Sequence, residues 1–348
     1  MNSKKTAKSD KSNTIYDVAR EAGVSIGTVS RALNNSGYVN KKTRTKILGA
    51  VKKFDYMPNS VARTLAKSSD NVIGIMVPEI GNHFLAAIMA NIESRINREG
   101  YSVLLCNSVY SPEKEVAFVK DLINRHASGL VMISSALDGS ELPAHIWADL
   151  KMAGFESNIT EIDSIRLTNW QGAFDMTEHL ISLGHRRIAC VGVNTALLTV
   201  YDRYRGYRDA LIKHGITPRN EYLVPYSEAD LFDPRKMAFN LLELDEFPTA
   251  MFSINDHTAI GVYRAIRDKG LRVGTDISVT GFDNTPIADI VNPGLSSVGF
   301  DTNAIAELLV EFLLKNIRGY DMYGPKEILF PTQLVLRDSS QKINPDLV

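Results

Sequence analysis

The residues best equipped for chemistry lie together near the amino end, in the run SIGTVSRALNN at 25–35. Arg31 carries a planar fork of donors that matches the O6/N7 edge of guanine, and Ile26 can pack on a thymine methyl. Ser25, Thr28 and Ser30 are short hydroxyls of the kind that grip phosphate oxygens, which position a protein without specifying sequence. On a helix, Ile26, Gly27, Ser30 and Arg31 fall on the side away from Val29 and Leu33. A helix whose first turns enter the major groove presents such a face to base edges. The competing reading is a small helical bundle with an incidental arginine.

The flanking residues must position that face. In TIYDVAREAG, Ile15, Val18, Ala19 and Ala22 recur at helical spacing, Thr14 can cap the start, and Gly23 can end the helix in a left-handed conformation. Val24 plugs the turn and Ser25 caps the second helix, whose inward positions are Val29, Ala32 and Leu33. Two short helices crossing at a glycine turn form a helix-turn-helix. After Asn40, a third helix, KKTRTKILGAVKKFDY, is expected to turn Ile47, Leu48, Val51 and Phe54 inward. Pro58 then stops the helical pattern, and Asn59 or Ser60 can cap a further short helix, SVARTLA, too short to be stable alone. Val61 and Leu65 form an apolar edge on it, and Leu65 between Arg63 and Lys67 suits a wedge pushed into the minor groove. The alternative there is a flexible linker with Leu65 packed on the body.

Charge divides the chain at the same place. The net charge of −1 over 348 residues hides +10 on residues 1–69, with 14 Lys/Arg against 4 Asp/Glu, and −11 on the remainder. A basic head on an acidic body is what a polyanion-binding unit joined to an effector unit needs, although basic ends are also common solubilising tails. The first dozen residues are polar, Lys-rich and aperiodic, and are expected to be disordered. They lack an apolar h-region, and no run of eighteen apolar residues occurs, so a cytoplasmic protein without a membrane span is expected. Cys106 and Cys190 sit in apolar runs and read as buried free thiols.

From Asn71 the chain alternates apolar strands (VIGIMV, YSVLLC, GLVMIS) with amphipathic helices, and a second such set begins near residue 172. That alternation predicts parallel sheets covered on both faces. No Gly-x-Gly-x-x-Gly follows a first strand, no P-loop or nucleophile elbow occurs, and the seven histidines are scattered. No catalytic residue, cofactor or metal is expected. Two doubly wound units side by side leave a cleft outside the carboxyl ends of their strands, where small ligands bind.

TIYDVAREAGVSIGTVSRALN followed by YMPNSVARTLA resembles the DNA-binding head and hinge of the LacI/GalR family of repressors. The resemblance extends through GYSVLLCNS, ISLGHRRIA, FPTAMFSINDHTAIG, DISVTGFDNTPIAD and FPTQLVLRDSS, nearly the whole chain. It implies an all-α helix-turn-helix head with a hinge helix, then an α/β body of two doubly wound parallel-sheet subdomains like a periplasmic sugar-binding protein. The boundaries expected are a tail at 1–12, the head at 13–57, the hinge at 58–70, the effector domain at 71–341 and a tail at 342–348. Chain crossings near 166, 297 and 332 divide the body into an amino subdomain (71–166 and 297–331) and a carboxyl subdomain (167–296 and 332–341).

The resemblance also implies roles. Ile26, Gly27 and Arg31 take the base-reading positions, and Leu65 is the intercalating hinge leucine with Ala62 and Arg63 beside it. Residues at the positions of Arg203, Asn255 and Asp283 contact effector, and an aromatic near Phe232 stacks on it; Asn82 and Phe84 at the end of the first strand join them as candidates. The alternative is that Asn255 or Asp256 caps the next helix and Asp283 only holds a turn. Two departures stand out. Glycine at 27 leaves less direct readout, and in MAGFESNITEIDSIRLTNWQGA the Arg of the family's Asp-Arg is absent, Thr168 stands where an Asp usually precedes Asn169, and Trp170 is a further effector candidate that faces either the cleft or the subdomain boundary.

The function expected is a sequence-specific DNA-binding transcriptional regulator, with repression the expected sense. Its partners are a near-palindromic duplex operator, a second copy of the chain, and a sugar or sugar derivative bound between subdomains. The absence of a heptad tail argues against a tail-driven tetramer. The rivals are a sugar-binding or sensor protein without a DNA function, and an enzyme on a Rossmann-like body.

Overall fold

The structure, a computed structural model, describes residues 14–34, 37–54, 56, 70–195, 197–226, 234–320 and 324–343. It divides into two units, Met1–Asp70 and Asn71–Val348.

Among the described residues the first unit holds three helices, α1 (Ile15–Ala22), α2 (Ile26–Asn34) and α3 (Lys41–Phe54). The Thr14 N–H donates to Asp17 Oδ2 at 2.9 Å, closing the start of α1. Gly23 ends it at φ 64°, and its N–H reaches the Ala19 and Arg20 carbonyls. Asn40 Oδ1 accepts from Thr43 N at 2.8 Å and caps α3. Val18, Val29 and Ile47 are fully buried where the three helices meet, each worth roughly 1.5–3 kcal/mol of apolar transfer. Leu48, expected inward, is instead 50 % exposed. Ile47, Ala50, Val51 and Phe54 form the inward stripe at i, i+3, i+4 and i+7, and Leu48 lies one position off it.

The second unit contains two six-stranded sheets. The first is built from β1 (Asp70–Val77), β2 (Ser102–Asn107), β3 (Ala127–Ile133), β4 (Lys151–Phe155), β5 (Asp163–Leu167) and β11 (Glu327–Phe330), in the order β11-β5-β4-β3-β1-β2. The second comprises β6 (Ile188–Val193), β7 (Leu223–Pro225), β8 (Ala250–Ser253), β9 (Ser278–Phe282), β10 (Ser296–Gly299) and β12 (Gln333–Val335), in the order β12-β10-β9-β8-β6-β7. β12 runs antiparallel to β10; the other registers recorded are parallel. The helices that matter below are α4 (His83–Arg98), α5 (Pro112–Asn124), α6 (Ile146–Asp149), α7 (Asn169–Ser182), α8 (Leu198–Lys213), α9 (Pro234–Phe239), α10 (Asp256–Asp268), α11 (Pro286–Ile290) and α12 (Thr302–Ile317). Four separate apolar clusters, two to each sheet, cover both faces, which explains why the inner strands are continuous apolar runs.

The chain passes between sheets three times. It leaves β5 for α7 at Thr168, and it returns after β10, since α12 packs on the first sheet through Ile305, Leu309 and Leu313. Because β10 pairs with β9 and β12, the crossing expected near 297 falls at 300–301. The third lies between β11 and β12. Of the two cysteines expected to be buried, Cys190 is, but Cys106 on the edge strand β2 is only half-buried.

Candidate DNA-reading helix and effector cavity

On α2, Val29 and Ala32 face the core, and Ser25, Ile26, Gly27 and Arg31 are exposed; Thr28 and Ser30 are half-buried. Ser25 Oγ caps the helix by accepting from Thr28 N at 3.2 Å and lies 2.9 Å from Thr28 Oγ1. Arg31 Nη2 donates to that Thr28 hydroxyl at 3.4 Å. Three residues spaced by three thus run along the outer face, with the guanidinium of Arg31 beside the Thr28 hydroxyl. No acidic residue occupies the first turn of α2 or α3, so no side-chain charge there opposes an approaching anion. A Cβ on Gly27 would meet nothing closer than Ser25 Oγ at 3.9 Å, so the reading face has room for a side chain there. Ala62, Arg63 and Leu65 of the expected hinge lie outside the described residues, as does Phe232.

In each sheet the order of strands reverses beside its first strand, between β1 and β3 and between β6 and β8, and there the carboxyl ends leave a crevice. The two crevices open on one cavity of about 700 Å³. Asn82, Phe84, Arg203, Asn255 and Asp283 all line it. Residues from the ends of the remaining strands join them, among them Tyr110 after β2, Ser135 after β3, Glu156 and Asn158 after β4, and Asn194 after β6. Seven described non-glycine residues have positive φ, and five of these, Val109, Tyr110, Ser134, Glu156 and Asp283, line the cavity. Backbone held in that sparsely populated region is strain concentrated at one site.

Arg203 is the centre of its polar network. Its Nε donates to Asn169 Oδ1 at 2.9 Å, Nη1 to the Ile254 carbonyl at 2.7 Å, and Nη2 lies 3.1 Å from Asp283 Oδ1. The guanidinium stands over the Phe282 ring, 3.7 Å from its centroid. Glu156 Oε1 accepts from Leu167 N at 2.8 Å and Asn169 Nδ2 at 3.0 Å, so Asn169 links the carboxylate to the arginine. Glu156 Oε2 is buried without a hydrogen-bond partner. Burial pushes the Glu156 carboxyl up, against the pull of the Leu167 N–H and Arg203. Burial also lifts Asp283 to about 7, although Arg203 pulls it down. Behind it Asp256 is raised to about 6 by burial while accepting from Ser297 Oγ at 2.6 Å and Thr285 N at 2.6 Å.

Two candidates have a structural duty as well. Asn82 Oδ1 caps α4 through Phe84 N at 3.0 Å, and Asn255 Oδ1 caps α10 through Thr258 N at 2.8 Å. The amide NH2 is the half of each left for the cavity. Phe84 is 8 % exposed and packs edge-on against Phe300, with centroids 5.3 Å apart, so most of its ring belongs to the core. Trp170 does not line the cavity. It stacks on Phe174 with centroids 4.8 Å apart, and its Nε1 donates to Asp209 Oδ2 at 2.9 Å across the seam of α7 and α8. The helical repeat from Asn169 turns Asn169 toward Arg203 and the next residue away. Thr168 lies on a crossing: its hydroxyl lies 3.0 Å from Thr332 Oγ1 and accepts from Thr332 N at 3.0 Å, joining two of the crossings.

Glu156, Tyr110, Asn158 and Asn194 escaped the sequence reading. Each follows an apolar run, so listing every polar residue just past a strand end would have found them.

Residues 14–59 match the bacterial regulatory proteins of the lacI family, and residues 177–340 match a periplasmic binding protein-like domain. The chain is 30 % identical over 336 residues to the HTH-type transcriptional regulator DegA of Bacillus subtilis (strain 168), covering 95 % of this chain and 99 % of that protein. It is 35 % identical over 316 residues to the catabolite control protein A of Priestia megaterium, covering 87 % and 93 %. A crystal structure of the lac repressor dimer bound to operator and the anti-inducer ONPF matches at a TM-score of 0.81 and 31 % identity, over 95 % of this chain and 100 % of that one. A helix-turn-helix head followed by a two-sheet body with a strand-end cavity defines a class of DNA-binding regulators that answer to small molecules. The chain belongs to the lacI family of bacterial regulatory proteins and is a transcriptional regulator. Among the described residues no helix is long and apolar enough to cross a membrane.

Proposed function

We propose that the chain is a cytoplasmic, homodimeric repressor, without enzymatic activity, whose affinity for a near-palindromic operator is set by a sugar or sugar derivative in the 700 Å³ cavity. Arg31 and Ile26 read base edges, Gly27 leaves that face open, and Ser25, Thr28 and Ser30 hold phosphates. The segment with Ala62, Arg63 and Leu65 enters the minor groove when two copies pair. The observation that carries the effector reading is the Arg203–Asp283 pair at 3.1 Å, buried in a cavity to which the strand ends of both sheets contribute. A ligand touching both sheets favours one relative placement of them, and that preference is the free energy available to shift operator affinity.

The test is duplex binding by the full chain. Operator selected from random sequence should be bound with a steep salt dependence, and the ligand found by thermal-shift screening should change that affinity at fixed salt. Salt-insensitive, weak binding would remove the operator reading; a ligand that stabilises the body yet leaves operator affinity unchanged would remove the coupling.

A further inference from the structure

Resting on the reading of the cavity as the effector site, we propose that Glu115, which does not itself line the cavity, is a positioning residue for it. Its carboxylate holds the loops after β2 and β3 in the shape that presents Tyr110, Ser134 and Ser135 to a ligand.

Glu115 lies near the start of α5 and is fully buried. Burying a carboxylate is costly unless donors surround it, and four do. Ser108 Oγ donates to Oε1 at 2.8 Å, and Ser135 Oγ donates to Oε2 at 2.5 Å. The Ala136 N–H reaches Oε2 at 3.0 Å and the Leu137 N–H reaches it at 3.3 Å. None of these donors belongs to α5; all four lie in the two loops. The helix itself is anchored by Val119 and Leu122, both fully buried against strand residues such as Leu130, and its start is capped by Ser111. An apolar side chain of like size would serve that packing, so the carboxylate is there for the loops.

Both loops carry strain that needs an opposing hold. β2 and β3 flank β1, so one carboxylate ties together loops from the two sides of that strand. The loops contribute Val109, Tyr110, Ser134, Ser135 and Ala136 to the cavity wall. Val109, Tyr110 and Ser134 stand at φ 53°, 54° and 49°. Residues with a side chain stay in that region only where their surroundings over-determine them. Ser108 directly precedes the first pair and Ser135 directly follows Ser134, so the bonds to Glu115 fall beside the strained backbone. Without them the loops relax, and a ligand must reorder them at a cost in affinity.

The experiment uses the full-length chain. Residue-resolved hydrogen exchange, without ligand, follows the amides of Val109 and Ser134, which bond to the Pro78 and Phe155 carbonyls and not to Glu115. Glu115→Met should speed both by about 10-fold or more. Val119→Ala, one turn along the same helix, should lower the unfolding midpoint and leave both amides as they were. Titration calorimetry with glucose, ribose, cellobiose and glucose 6-phosphate supplies the binding arm. Any of these that the chain binds should be weakened about 10-fold or more by Glu115→Met and no more than about twofold by Val119→Ala. Glu115→Gln keeps an oxygen for Ala136 N and Leu137 N and offers an NH2 that Ser108 Oγ can accept, so it should restore affinity to within about threefold.

Unchanged exchange at Val109 and Ser134 in Glu115→Met overturns the proposal, as does a loss of affinity that Val119→Ala reproduces. Should Glu115→Met not fold, Ser108→Ala withdraws one donor, and unaltered exchange at Val109 then overturns the proposal in its place. Loops that loosen while a bound probe keeps its affinity also overturn it, and Asp283→Asn then separates the causes. A loss of affinity in Asp283→Asn leaves the cavity as the effector site and removes only Glu115; no loss there removes the cavity reading itself.

Discussion

Arg203 on α8 and Asp283 after β9 meet at 3.1 Å with side chains 9 % and 6 % exposed. Asn169 and the Ile254 carbonyl complete the arginine's partners, so one side chain ties α7, α8 and the ends of β8 and β9. Arg203→Ala strands all three acceptors in a buried place. Breaking one side of such a pair costs about 3–5 kcal/mol. Urea unfolding should show a loss of that order, whereas a loss near zero would mean that water reaches the pair freely.

The pair also sets a pH dependence. The folded-state values of Asp283, about 7, and Asp256, about 6, lie above the ordinary aspartate value of 3.8. Between the ordinary and the raised values the folded chain holds more protons than the unfolded one. The contribution of these two carboxyls is therefore fully present below the ordinary value and is lost as pH rises toward about 7. Measured from pH 4.5 to 8, unfolding free energy should fall less steeply in Asp283→Asn than in the unsubstituted chain. Parallel curves would show that Asp283 is ionised throughout.

How much of this was legible in the sequence follows from which signals are local. The helix caps at Asn40 and Ser25 and the glycine stop at Gly23 depend on residues within one turn, and they were readable. So were strands such as β1, β3 and β8, because burial on both faces writes a continuous apolar run. Leu48 was not, since the apolar doublet Ile47–Leu48 leaves the rotation of α3 undecided until α1 and α2 are in place. Asn82, Asn255 and Asp283 each follow a strand, which is a local signal, whereas Arg203, in the second turn of α8, was named only through the family resemblance. Trp170 was misplaced and Glu156 overlooked for one reason: pairing β4 with β5 turns Glu156 toward the cavity, and the α7–α8 seam takes the indole, both through contacts remote in sequence.

On the reading helix, Arg31→Ala should remove one base contact and little stability, because Arg31 is exposed and its bond to Thr28 is long at 3.4 Å. A bidentate arginine–guanine contact is worth about 1–3 kcal/mol of discrimination. Competition binding should show specific duplex weakened roughly 5- to 150-fold and random duplex affected far less. Equal losses on both would make Arg31 a phosphate contact.

Gly27 can be tested in the opposite direction. It lies inside α2 with open space at its Cβ position, and alanine is favoured over glycine in a helix by up to about 1 kcal/mol. Gly27→Ala should therefore leave the fold intact, and Gly27→Gln should change which base pair is preferred at one position of each half-site in a random-sequence selection. An unchanged preference would place residue 27 away from the bases.

The seam of α7 and α8 separates scaffold from site. A Cβ at Gly206 would run into the Trp170 carbonyl and come within 2.8 Å of Phe174 N, so α8 approaches α7 more closely than any side chain permits. Trp170 and Phe174 stack there, and Asp209 holds the indole N–H. Overpacking of this kind costs about 1–3 kcal/mol, and backbone on the far side makes the upper end the expectation. Gly206→Ala should lower the unfolding midpoint, whereas Trp170→Phe, which loses one buried hydrogen bond, should cost about 1 kcal/mol and keep ligand affinity within about twofold. A Trp170→Phe chain that loses ligand binding while remaining folded would return the indole to the cavity and require α7 to rotate when ligand is bound.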